Sequence, residues 1–98
     1  MFERLAKAFP DYDLATLPSI PETWRDESWK NDCCPKFMAP NGLDVYIDYL
    51  NQSDRDIPEL AHKRFSVIDF STDGEGDAIT VLYTDDWQDV LTFVESYA

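Results

Sequence analysis

Basic residues run out early in this chain. Phe65 to Ala98 has no Lys or Arg and carries eight carboxylates, whereas the first 64 residues hold the other twelve acids and all eight bases. The net charge of −12 therefore divides into −4 and −8. A field of one sign governs partners and solubility and does not determine fold. It excludes direct nucleic-acid binding through the C-terminal third, because like charges repel. Histidine is scarce too: His62 stands alone in a polar stretch without a Ser or Cys nucleophile context, so a catalytic triad has no basis. Cysteine is limited to the adjacent pair Cys33 and Cys34. A bridge between neighbours closes a strained ring and staples no long loop, so two free thiols are expected. With His62 lying 28 positions after Cys34, zinc-ligand spacing is missing as well. No apolar run approaches the roughly 20 residues of a membrane span, and Met1 to Phe9 lacks the apolar stretch of a signal peptide. The expected location is the cytoplasm.

What is present argues for a folded protein. The chain is 44% hydrophobic with 14% aromatics, whereas disorder couples high charge to low hydrophobicity. A length of 98 residues suits a single domain, 1–98, with one modest core.

Phe2, Leu5, Ala6 and Phe9 fall on one helical face, and Pro10 ends it. Asp11 to Glu22, with Pro18 and Pro21 among Leu14, Leu17 and Ile20, reads as an arm wrapping the core. A short strand is expected around Lys36 to Ala39. Leu43 to Leu50 alternates, with Leu43, Val45, Ile47 and Tyr49 facing in and Asp44, Tyr46 and Asp48 facing solvent. Asn51 to His62 is a polar connection with a helical turn. Lys63 to Ser71 and Ala78 to Thr84 are strands, joined by a hairpin whose tip, Thr72 to Asp77, contains two glycines suited to a tight turn. Asp85 is placed to cap a last helix, with Gln88 three positions on, and Trp87, Val90, Leu91 and Val94 form its apolar stripe. The expected fold is α+β: an antiparallel sheet of three to four strands with an N-terminal helix and a C-terminal amphipathic helix. Trp24, Trp29 and Trp87 are expected in the core.

Asp73, Glu75 and Asp77 alternate as carboxylates do in calcium loops. A calcium-binding helix–loop–helix would need Gly at the sixth position and Glu at the twelfth, where Ala78 and Thr84 stand. No metal or cofactor is therefore expected. Asp44 and Asp48 could serve as a general acid and base, but nothing in the sequence drives their pKa values apart. The chain is read as a non-enzyme.

The acids remain. Carboxylates at i and i+2 on a strand lie about 6.6 Å apart, comparable with successive phosphates on a backbone advancing about 3.4 Å per nucleotide. Asp69, Asp73, Glu75, Asp77, Asp85, Asp86 and Asp89, with Asp44 and Asp48 as a second patch, are the candidate partner-binding residues. They would pair with Arg and Lys of a basic nucleic-acid-binding protein or complex. Self-repulsion favours a monomer.

In size, charge, lack of catalytic motifs and the one-signed segment Phe65 to Ala98, the chain resembles the small acidic proteins of phages and mobile elements that mimic DNA, including anti-CRISPR proteins. The resemblance implies an inhibitor that blocks target-DNA recognition by occupying a DNA-reading groove. An immunity protein that neutralises a nuclease toxin is the competing class. A housekeeping regulatory or assembly module is the third reading.

Overall fold

The computed structural model describes residues 2–70 and 78–97. The expected hairpin tip, with Asp73, Glu75 and Asp77, lies outside them.

Five strands form one antiparallel meander: β1 (Arg25–Asp26), β2 (Lys36–Met38), β3 (Asp44–Ile47), β4 (Phe65–Asp69) and β5 (Ile79–Thr84). The class is α+β as expected, but the sheet has five strands in place of three to four. The additional one, β1, is two residues long, and alternation cannot register over so short a span.

Register assigns the faces. Phe37, Val45, Val67 and Leu82 stand opposite one another across β2 to β5, and Ile47 pairs with Phe65. Phe37, Val45, Ile47 and Val67 are fully buried. Each such side chain stabilises the fold by about 1.5–3 kcal/mol on burial. In β5, Val67 pairs with Leu82 and Ile68 with Thr80, so Val81 is an extra residue. This bulge lets the consecutive residues Val81 and Leu82 both touch the core.

Two helices cover the same face. The first, α1 (Glu3–Ala8), buries Leu5, and Phe2 meets Phe37 edge-on at 5.5 Å. Asp26 of β1 accepts from Leu5 N at 2.8 Å. A strand side chain thereby satisfies one of the amides a helix start leaves unpaired. The second, α2 (Trp87–Ser96), buries Val90 and Val94, and Trp87 packs on Phe65 at 5.1 Å and on Trp24 at 5.8 Å. Its N-cap is Asp86, whose side chain accepts from Gln88 N at 2.9 Å. The expected cap, Asp85, instead accepts from Arg64 N at 2.8 Å, because β5 extends to Thr84 and delivers Asp85 beside the start of β4.

The β2–β3 hairpin turns through Pro40, Asn41 and Gly42, with Gly42 N donating to Ala39 O at 3.0 Å. Pro at the second position and Gly at the fourth suit a type I turn. Gly42 has φ +88°, a conformation costly for a residue with a Cβ. Asn41 Nδ2 reaches Val94 O at 3.0 Å, tying the turn to α2.

The arm from Asp11 to Glu22 crosses the core as expected, with a 3₁₀ turn at Leu14–Thr16. Trp87 Nε1 donates to Ser19 O at 3.1 Å and pins it. The Asn51 to His62 connection contains the expected helical turn, a 3₁₀ turn at Gln52–Asp54, and a second turn in which Leu60 N and Ala61 N both donate to Ile57 O.

Candidate functional site

All eight basic residues are described, and their placement decides where negative charge stands unopposed. Arg55 and Arg64 are buried, at 7% and 9% exposure. Arg55 donates to the carbonyls of Tyr49 at 2.9 Å, Leu50 at 3.3 Å and Ala61 at 2.6 Å. Those bonds close the loop that displays Asp54, Asp56 and Glu59, all exposed. Arg64 donates to Asp48 O at 2.9 Å, to the Tyr12 hydroxyl at 2.9 Å and to Thr16 O at 3.0 Å. Those bonds hold the arm that displays Asp11 and Asp13. Both guanidiniums thus act as internal staples, each bonded to three or more neutral oxygens, for segments that present acids.

Four other cations collect at the β1 edge. Arg4 Nε donates to Ser28 O at 2.9 Å, and Arg4, Lys7 and Lys30 surround Trp29 at a shallow cavity of about 250 Å³. Arg25 lies on β1 itself, 3.8 Å from Glu27. Trp29 is 52% exposed, correcting the expectation that all three tryptophans are core. Lys36 sits over the Tyr46 ring, 5.9 Å from its centroid. Lys63 alone remains near the acids, 3.7 Å from Asp85. Both groups of that pair are about half exposed, so it contributes little.

The expected partner-binding residues do not form one surface. Asp48 follows β3, Arg64 precedes β4 and Asp85 follows β5, so they share one end of the antiparallel sheet. Asp44 opens β3 and Asp69 closes β4 at the other end. Asp69 is 7% exposed and accepts from the Tyr97 hydroxyl at 2.5 Å. Its place on the Phe65 and Val67 face makes it an interior group. Asp44 is 8% exposed, against the expectation of a solvent-facing strand, and its Oδ1 has no hydrogen-bond partner among the described residues. Burial raises its pKa, partly opposed by Lys36. Burial also raises that of Asp48, partly opposed by the bond from Tyr49 N and by Arg55 and Arg64. The two carboxyls shift in the same direction and stand at opposite ends of β3.

Asp85, Asp86 and Asp89 are exposed beside the start of α2. Around them, at the same end of the sheet, lie acids that the sequence reading did not select. Asp11, Asp13 and Asp54 line a small cleft with Tyr49, whose hydroxyl donates to Asp11 at 2.8 Å. Their grouping depends on the arm folding back onto the β3–β4 loop, a contact across roughly 40 positions with no local signature. Among the described residues no cluster of three or more His, Cys, Asp or Glu is placed to hold a metal ion. Most exposed cations stand at β1 and the Asp85 to Asp89 group follows β5, the two outer strands of the sheet.

The chain matches no known protein family, no curated protein and no solved structure.

Proposed function

We propose that this protein is a non-enzymatic acidic inhibitor that docks onto the basic nucleic-acid-binding surface of another protein and presents carboxylates where phosphates would lie. The observation that carries the reading is the inward turn of Arg55 and Arg64. Three cations stand at the end of the molecule richest in acids; Arg55 and Arg64 are withdrawn from the surface to brace acid-bearing segments, and Lys63 alone stays exposed. The contact surface is Asp11, Asp13, Asp54, Asp56, Glu59, Asp85, Asp86 and Asp89. Asp73, Glu75 and Asp77 lie outside the described residues and are not assigned to it. Asp44 and Asp69 are left out because they are interior. A groove lined with Arg and Lys would meet this surface through charge-assisted hydrogen bonds, with fast and salt-sensitive association. Blocking target-DNA recognition in the manner of an anti-CRISPR protein is the specific form proposed.

The test is capture of partners on the tagged protein at low and high salt, in parallel with the variant Asp54→Asn, Asp56→Asn, Glu59→Gln. A nucleic-acid-binding protein that is released by salt, displaced by DNA and missing from the variant supports the reading. A partner that survives high salt, ignores DNA and binds the variant equally well refutes it.

A further inference from the structure

Cys33 and Cys34 occupy a built position, independent of the acidic surface. The β1–β2 connection turns at Trp29, where Asp32 N donates to Trp29 O at 2.9 Å, and bends again before Pro35. Pro35 is fully buried and its carbonyl accepts from Ile47 N at 2.9 Å. The residue before a proline is confined to extended backbone, so Cys34 has little freedom. In a regular strand consecutive side chains point to opposite faces. Here the two Sγ atoms lie 3.8 Å apart. Both are free thiols, Cys33 exposed and Cys34 only 2% exposed. They open onto a cavity of about 320 Å³ on the sheet face without helices, lined also by Tyr46, Asp48, Ser66 and Ile68.

We propose that Cys33 and Cys34 form a reactive dithiol site for low-molecular-weight disulfides, with Cys33 attacking, Cys34 resolving, and positively charged disulfides preferred. The hydrogen bond between the thiols lowers the pKa of Cys33 below the ordinary thiol value, against burial and the charges of Asp48 and Asp56. The same bond, with burial, raises Cys34 well above it. An accessible thiol of depressed pKa beside a second thiol is the arrangement found in redox-responsive cysteines.

In the first step the Cys33 thiolate forms a bond to one sulfur of the disulfide RSSR, and the old S–S electron pair leaves with the other sulfur as RS⁻, which takes a proton from water. In the second, Cys34 gives up its proton and attacks Cys33 Sγ, releasing a second RS⁻ that accepts that proton. The two protein thiols are oxidised to a disulfide, and RSSR is reduced to two RSH. Adjacent Cα atoms are about 3.8 Å apart, less than the usual 4.4–6.8 Å span of a disulfide. The ring is therefore strained and readily reopened by excess thiol.

Charge selection follows from the neighbours. Asp48 and Asp56 act on Cys33, and Asp48 and Asp32 on Cys34. The Arg64 guanidinium that borders the cavity keeps its charge, because its acceptors Asp48 O, Tyr12 and Thr16 O are neutral, and it offsets one of the three carboxylates Asp32, Asp48 and Asp56. A cation is drawn to such a site and an anion repelled, within the screening length of the buffer.

The experiment compares cystamine with the dianionic 3,3′-dithiodipropionate on the reduced protein, followed by intact mass over time. Cystamine is expected to react about tenfold faster at low ionic strength, with the advantage shrinking severalfold near 0.5 M salt. Wild type should pass through the mixed disulfide and end two hydrogens lighter than the reduced chain. Cys34→Ser should stop at the mixed disulfide, and Cys33→Ser should not react under the same conditions. Equal rates for the two probes on the wild type overturn the charge preference, a reading that needs no variant to fold. First modification at Cys34, or a wild type that never proceeds beyond the mixed disulfide, overturns the division of roles.

Discussion

Arg64 donates through Nη2 to the hydroxyl of Tyr12 at 2.9 Å, a buried contact between residues 52 positions apart. The Tyr12 hydroxyl in turn donates to Asp48 O at 3.2 Å, and its ring packs against Tyr49 at 5.0 Å. Tyr12→Phe keeps the ring contact but leaves one guanidinium proton short of a partner. The expected loss is about 1–3 kcal/mol, read as a lower urea midpoint with an unchanged slope. A variant as stable as the wild type would mean that the arm is held by Thr16, the Trp87 bond to Ser19 O and packing.

Trp87 separates packing from hydrogen bonding at the other anchor of the arm. Its ring meets Phe65 and Trp24, and its Nε1 holds Ser19 O. Trp87→Phe removes chiefly the hydrogen bond and should cost about 1 kcal/mol. Trp87→Ala empties the contact between α2 and the sheet and should cost about 3 kcal/mol or more. Thermal denaturation of both variants checks the order, and equal costs would contradict the packing role.

Asp85 and Asp86 are structural as well as charged. Asp86→Ala removes the α2 cap and is expected to cost about 1 kcal/mol, with Asp86→Asn nearly neutral. Asp85→Ala leaves Arg64 N unpaired, at about 1–3 kcal/mol. The triple change at Asp54, Asp56 and Glu59 touches exposed loop positions and should stay within about 0.5 kcal/mol of wild type. Chemical denaturation of the four proteins tests this ranking, and it identifies the triple variant as the one in which lost binding is not lost folding.

The elements most legible in the sequence were those with a period to read. The Val45 and Ile47 alternation and the Trp87, Val90 and Val94 stripe each repeat often enough to fix a face. Asp85 as cap was misplaced by one residue because positions 85 and 86 are both Asp, and only the bond from Arg64 N to Asp85 across the sheet decides between them. β1 left no pattern in two residues. The acidic surface was legible as a charge count but not as a place: alternation set Asp44 toward solvent, and the fold buries it. Nothing local to Arg55 or Arg64 shows that their charges face inward, since their acceptors are backbone carbonyls, which every sequence supplies, and the Tyr12 hydroxyl, 52 positions from Arg64.

Buried carboxyls give the protein an unusual response to acid. Asp44 and Asp48 both have folded-state pKa values raised above the ordinary 3.8, chiefly by burial. The folded state therefore binds their protons more tightly than the unfolded chain does. Stability from these groups is fully present below the unfolded value and is lost as pH rises through the folded values. Acidification also relieves the repulsion of a net charge of −12. The urea midpoint is expected to rise as pH falls from neutrality into the ordinary carboxylate range, the reverse of a protein held by salt-bridged carboxylates. Asp44→Asn, which fixes a neutral side chain at that position, should flatten the dependence by removing one of the two groups. A midpoint that falls over the same range would show that carboxylates accepting hydrogen bonds, such as Asp26 and Asp86, dominate the linkage in place of Asp44 and Asp48.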